Sequence, residues 1–214
     1  MSFWDKLGKA AEKVWLRAEE NAARRQQQEA RMLHERRDSP SYQHGRDDIK
    51  TAIVLSAPGS HEERAGRPAA GQTGRTLNRT LKALHEADPK RFPSASKDDY
   101  RIVNASDEIH YKRKTGRTEA RGSSLDAPAN KARLRDSLKG KSTIVALGSK
   151  AQATLASAGV KATHTGSHPS MQNINRNYAA KGRTGAERSE ERISKFAAEV
   201  ADSGRKRSRK REER

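Results

Sequence analysis

The chain has no cysteine. That excludes disulfides, thiolate nucleophiles and a cysteine-ligated iron–sulfur cluster, and it fits an intracellular, cytoplasmic protein. Aromatic residues are only 4% and hydrophobic residues 32% of the 214 positions, enough for one modest core but not for a chain packed from end to end. No apolar run approaches the roughly 20 residues needed to span a bilayer. The N-terminus has no apolar signal core followed by a small-residue cleavage site, so secretion is not expected. No cofactor and no metal site is read from the residues present.

Positive charge is what the chain has in excess: 45 Lys and Arg against 27 Asp and Glu, a formal net charge of +18. A polyanionic partner is the economical explanation, because a basic surface attracts phosphate and speeds encounter. A nucleic acid, double-stranded or single-stranded, bound by a monomeric protein is one such partner. An acidic membrane surface or an acidic protein would also satisfy the charge, whereas small free nucleotides need no such surface.

Residues 1–48 read as a basic extension and linker. Ser2-Phe3-Trp4-Asp5 has the form of a capping box, and Trp4, Leu7, Ala11, Val14 and Ala18 recur at helical spacing. Asp38-Ser39-Pro40-Ser41 is a stop signal. Residues 49–202 alternate strand and helix signals. Strands are expected at Ile49–Leu55, Tyr100–Asn104, Ser142–Leu147 and Val160–Thr165. Helices are expected from Thr73 to about Glu86, from Asp126 as N-cap through Leu138, from Ser149 to Gly159, and around Ile193, Phe196, Ala197 and Val200. This order implies a three-layer α/β/α domain with a central, mostly parallel, four-stranded sheet. Asp107–Ser124 is polar and basic and reads as a long mobile loop, and residues 203–214 read as a disordered basic tail.

The richest segment runs from Val54 to Gly74. A β-branched run ends in Ala57-Pro58-Gly59, and a glycine-punctuated loop hands over to a helix carrying Leu77, Leu81 and Leu84. In α/β proteins ligands bind beyond such strand ends. Ser56 to Gly59, Asn104 and His168 each end or follow an expected strand, so all can face one crevice. Asparagine donates and accepts, which suits the edge of a base. Histidine can donate to an oxygen that gains negative charge as a leaving group departs. Taken singly these are a turn former and a loop residue; their order gives them weight.

Ala57-Pro58-Gly59-x-x-Glu62, Gly66-Arg67-Pro68 and Gly71-x-x-Gly74, followed by Ile102-Val103-Asn104, Ile144–Ala151 and His168-Pro169-Ser170, resemble the uracil-DNA glycosylase superfamily, closest to its family 4 type. The resemblance spans roughly residues 49–178. It implies that Asn104, with Ala57, Pro58, Gly59 and Ala69, recognises a flipped base, and that His168 supports the base as it departs. Two groups differ from the family pattern: Ser56 stands where a carboxylate precedes Ala-Pro-Gly, and Ala69 stands where an aromatic follows Gly-Arg-Pro. The family's cluster-binding cysteines are absent.

The activity implied is hydrolytic removal of uracil or a modified pyrimidine from DNA after base flipping, leaving an abasic site. Ser56 and His168 are the catalytic candidates, with Glu62, and alternatively Glu63 or Asp107, supplying the missing charge. Losing an aromatic at Ala69 opens volume for a 5-substituted base. Arg64, Arg67, Lys112, Arg113, Lys114 and Ser170 are candidate DNA contacts, and Met171 a candidate wedge into the duplex. Two other readings stay open: a catalytically silent DNA-binding protein, which Ser56 favours, and an interaction protein working through its helical and basic extensions.

Overall fold

β-Branched and aliphatic residues concentrate in short runs, and the computed structural model shows these runs as the strands of one sheet. The structure describes residues 38–212 and, ahead of them, Trp15, Arg17, Glu19 and Asn21. The chain divides into two units, Met1–Arg37 and Asp38–Arg214. In the first, the four described residues are helical and Trp15 is 60% exposed. The rest of the amphipathic helix expected there, with its capping box, lies outside the described residues.

In the second unit the strands are β1 (Tyr42–Gln43), β2 (Thr51–Leu55), β3 (Arg101–Asn104), β4 (Thr143–Leu147) and β5 (His164–Gly166), in the order β1-β3-β2-β4-β5. All pairings are parallel except that of β1, which runs antiparallel along the edge of β3. The sheet thus has one strand more than expected, and it draws on residues ahead of position 49. A strand of two residues has no periodicity to read, and it sits beside a stop signal.

Two cores follow from the period-2 alternation of the central strands. Ile53 and Leu55 of β2, Ile102, Val145 and Leu147 face one layer; Ala52, Val54, Val103, Ile144 and Ala146 face the other. The helices are α1 (Ser60–Ala65), α2 (Gln72–Ala87), α3 (Lys112–Thr115), α4 (Gly122–Asp126), α5 (Pro128–Ser137), α6 (Ser149–Ser157), α7 (Met171–Asn177) and α8 (Gly185–Glu212). α2 presents Leu77, Leu81 and Leu84 to the first layer, where α8 adds Ile193, Phe196, Ala197 and Val200 and α7 adds Ile174. Leu125 of α4, Leu134 of α5, and Ala151 and Leu155 of α6 fill the second. The three-layer α/β/α expectation is met.

Three local expectations are corrected. The basic run from Arg205 is not a separate disordered tail: α8 continues through it to Glu212. Arginine and lysine are good helix formers, and cations suit a helix C-terminus. The N-cap of α5 is Ala127, with Pro128 at its first position; Asp126 ends α4 and accepts a hydrogen bond from the Ser157 hydroxyl at 2.6 Å. The polar stretch expected to be a long loop contains α3 and the start of α4, and Ala120 within it is buried in the second core.

Phe196 is fully buried. Phe196→Ala is expected to destabilise the protein by about 3–5 kcal/mol, and Trp15→Ala by less than about 0.5 kcal/mol; urea denaturation of the full chain checks both.

Candidate active site

The register of the parallel strands collects their carboxyl ends: Leu55 pairs with Asn104, Val54 with Ala146, and Leu147 with Gly166. Residues just beyond those ends therefore meet at one edge, where an open α/β sheet places ligands.

β2 leads into Ser56-Ala57-Pro58-Gly59, and α1 begins at Ser60. Glu62 closes this loop. Its Oε2 accepts from the Gly59 amide and its Oε1 from the Ala70 amide, each at 3.0 Å. Both oxygens are occupied by backbone donors, so the residue expected to lend catalytic charge holds the two ends of the loop together. Between them Ala69, buried and with a left-handed φ of 50°, turns the chain onto the first turn of α2. Gly74 faces it there; a Cβ at that position would lie 1.7 Å from the Ala69 carbonyl oxygen.

Asn104 ends β3 and is 1% exposed. Its Nδ2 donates to the Pro40 carbonyl at 3.2 Å, and its own carbonyl accepts from Arg133 Nη2 at 2.9 Å. The first bond uses one of the hydrogen-bonding positions of the side-chain amide and sets its orientation.

Two residues past β5 comes His168. Ser170 caps α7, its Oγ accepting from the Asn173 amide at 3.3 Å, and Asn173 Nδ2 donates to the His168 carbonyl at 2.9 Å. The imidazole is thus carried on a turn fixed from both sides. Opposite it, Gly148 has a φ of 103°, and a Cβ there would lie 3.1 Å from Ser56 Oγ and 3.5 Å from His168 Cβ. The left-handed backbone and the crowding both call for glycine. Burial lowers the His168 pKa below its usual 6.5, and the negative charges of Glu119 and Glu62, which act in the opposite sense, do not cancel that effect. The ring is therefore neutral at pH 7, a hydrogen-bond donor without formal charge.

Ser56, Ala57, Gly59, Ala69, Asn104 and His168 line one cavity of about 530 Å³, with Glu62 and Ser170 on its wall. A second cavity, of about 540 Å³, opens beside it over the start of α6 and the inner face of α8. Ser56, Glu119, His168 and Asn173 line both and form the partition between them.

Other expected residues stand elsewhere. The Pro58 ring is not on the cavity wall; its carbonyl accepts from the His110 amide at 2.9 Å. Met171 is half-buried against the first core, so the apolar wedge is turned inward, and Gln172 beside it is the exposed residue at the rim. Arg64 is exposed beside His61, Arg67 pairs with Asp98 at 3.5 Å, and Lys114 pairs with Glu63. Lys112 and Arg113 are exposed on α3. Asp107 lies 4.0 Å from Arg133. Among the wall residues that the sequence reading missed are His110, Glu119, Asn173 and Arg176. Only Asn173 had a cue, its position three residues after a serine that caps a helix.

The model of the uracil DNA glycosylase superfamily matches residues 42–192. This chain belongs to that superfamily. The match begins at β1, the strand hidden from sequence reading, and ends inside α8, so it covers the whole sheet and every residue lining the cavity that holds Asn104 and His168. A search of the curated proteins finds no match. Because the chain contains no cysteine, its residues do not fit the cysteine-held iron–sulfur cluster of the family 4 type. Among the described residues no helix is long and apolar enough to cross a membrane.

Two measurements check the site. Glu62→Ala leaves two amides without their carboxylate and is expected to cost about 1–3 kcal/mol in chemical denaturation. NMR titration is expected to place the His168 midpoint below 6.5. Because the folded state then binds its proton less readily than the unfolded chain, the His168 contribution is complete above the unfolded pKa and is lost on acidification through the folded one. His168→Asn is expected to flatten that part of the pH–stability profile.

Proposed function

We propose that this protein is a monofunctional DNA glycosylase that flips a uracil or a modified pyrimidine out of DNA and hydrolyses its N-glycosidic bond. The observation that carries the reading is that Asn104 and His168, one able to read a base edge and the other able to stabilise a departing one, line the same cavity at the carboxyl edge of the sheet. Membership of the superfamily supports the reaction class, and the charge of +18 supports a DNA substrate.

The extruded base enters between the Ser56–Gly59 loop and Asn104. The asparagine amide, oriented by Pro40, pairs with the polar edge of the base. As the glycosidic bond lengthens, negative charge builds on the base, and the neutral His168 donates to its oxygen. A fixed, neutral donor aimed at the oxygen stabilises that charge more in the transition state than in the ground state. The sugar becomes oxocarbenium-like and water attacks it. At Ala69 only a methyl group faces a cavity of about 530 Å³, which leaves room for a substituent on the pyrimidine ring and favours a 5-substituted base.

A second reading, a DNA-binding protein without catalysis, is favoured by one observation: Ser56, where the family 4 pattern that the chain resembles has a carboxylate, brings no charge to the sugar. Wild type, His168→Ala and Asn104→Ala, each incubated with single- and double-stranded oligonucleotides bearing uracil or a bulky 5-substituted cytosine, separate the readings by alkali-sensitive abasic sites. The glycosylase reading expects sites from wild type and a loss of about 100-fold or more in His168→Ala. Clear preference for plain uracil removes the larger-base assignment. Tight DNA binding with no sites on any substrate supports the silent protein instead.

A further inference from the structure

The family 4 pattern that this chain resembles places a carboxylate where Ser56 stands, and Ser56 supplies no anion to the sugar. The carboxylates around the two cavities are otherwise committed. Glu62 holds the Gly59 and Ala70 amides. Glu63 pairs with Lys114. Glu199 accepts from the Tyr178 hydroxyl at 2.6 Å. Glu119 differs: among the described residues no hydrogen bond or ion pair engages its carboxylate, although Arg117 and Arg121 flank it in sequence. It is exposed at the cavity mouth, yet its neighbour Ala120 is 7% exposed and packed in the second core, which anchors the segment at that point. Glu119 also stands with Ser56 and His168 on the partition between the cavities.

We propose that Glu119 is the general base and anionic stabiliser of the reaction, replacing from the α3–α4 segment the carboxylate that the chain lacks at Ser56. This rests on the glycosylase reading. The C1′–N bond breaks with its electron pair passing to the base, which His168 stabilises and solvent then protonates. The water oxygen bonds to C1′, and the proton it loses passes to the Glu119 carboxylate and on to solvent. The same negative charge faces the oxocarbenium-like sugar. An uncommitted carboxylate is what this role requires, since one held by Arg or Lys is a poorer proton acceptor.

The test uses the full-length protein and a labelled oligonucleotide carrying a single deoxyuridine or a single 5-substituted deoxycytidine. Single-turnover rates and DNA affinities are measured for wild type, Glu119→Gln, and Glu119→Gln combined with Ser56→Asp. Glu119→Gln is expected to slow cleavage by about 100-fold or more with melting temperature and DNA affinity unchanged, because general-base groups typically contribute that much. Ser56→Asp is expected to recover at least 10-fold of that loss, which a merely structural role for Glu119 would not allow. An active wild type with Glu119→Gln within about 3-fold of it overturns this assignment and leaves the glycosylase reading standing. A loss without rescue, accompanied by weaker DNA binding, overturns it in favour of a DNA contact. A wild type inactive on both substrates overturns the glycosylase reading and this inference with it.

Discussion

Parallel pairing of β2 with β3 on one side and β4 on the other is the constraint on which the candidate site depends. Hydrogen-bonded register leaves no freedom in which strand ends meet. With Leu55 beside Asn104 and Val54 beside Ala146, the residues that follow those strands must share one edge. A one-residue slip would send Ile53 and Leu55 into the opposite layer and remove Asn104 from the cavity, so the two cores that fix the register also fix the chemistry. Gly148 completes the arrangement, since its φ of 103° strains any side chain and a Cβ there would crowd Ser56 Oγ.

Electrostatically, the site and the surface are built differently. The chain is strongly basic, yet Arg67 and Lys114 pair with acids outside the cavity and His168 inside it is held neutral by burial. Arg176 is the arginine on the cavity wall. A positive exterior draws in a polyanion of any sequence, whereas a neutral donor in a buried pocket acts only on the group that develops charge there. On the proposed reading, attraction and catalysis fall to separate residues, which is why charge clusters in the sequence point to a polyanion but not to the reacting atoms.

The central strands and the long helices were legible in the sequence for local reasons: the strands as short β-branched apolar runs such as Ile53 to Leu55, and α2 through Leu77, Leu81 and Leu84 on one face. β1 was not, because two residues carry no period and their partner, β3, lies some sixty positions on. The helical course of Arg205–Glu212 was missed because charge density suggested an unfolded tail, while α8 was already nucleated by its buried face and needed only good helix formers to continue.

By itself the sequence determined the α/β class, the motifs that place Asn104 and His168 at strand ends, and the basic character that implies a polyanion. These are local properties: propensity, period, and residue type after a strand. Only the tertiary structure decided what each candidate touches. It tied Glu62 to two backbone amides and turned Met171 into the core. It also set Glu119, from a polar stretch with no pattern, on the wall shared by both cavities. A carboxylate's role depends on whether its oxygens are already bound, and its binding partners are fixed by contacts between segments distant in the chain, which no local pattern encodes.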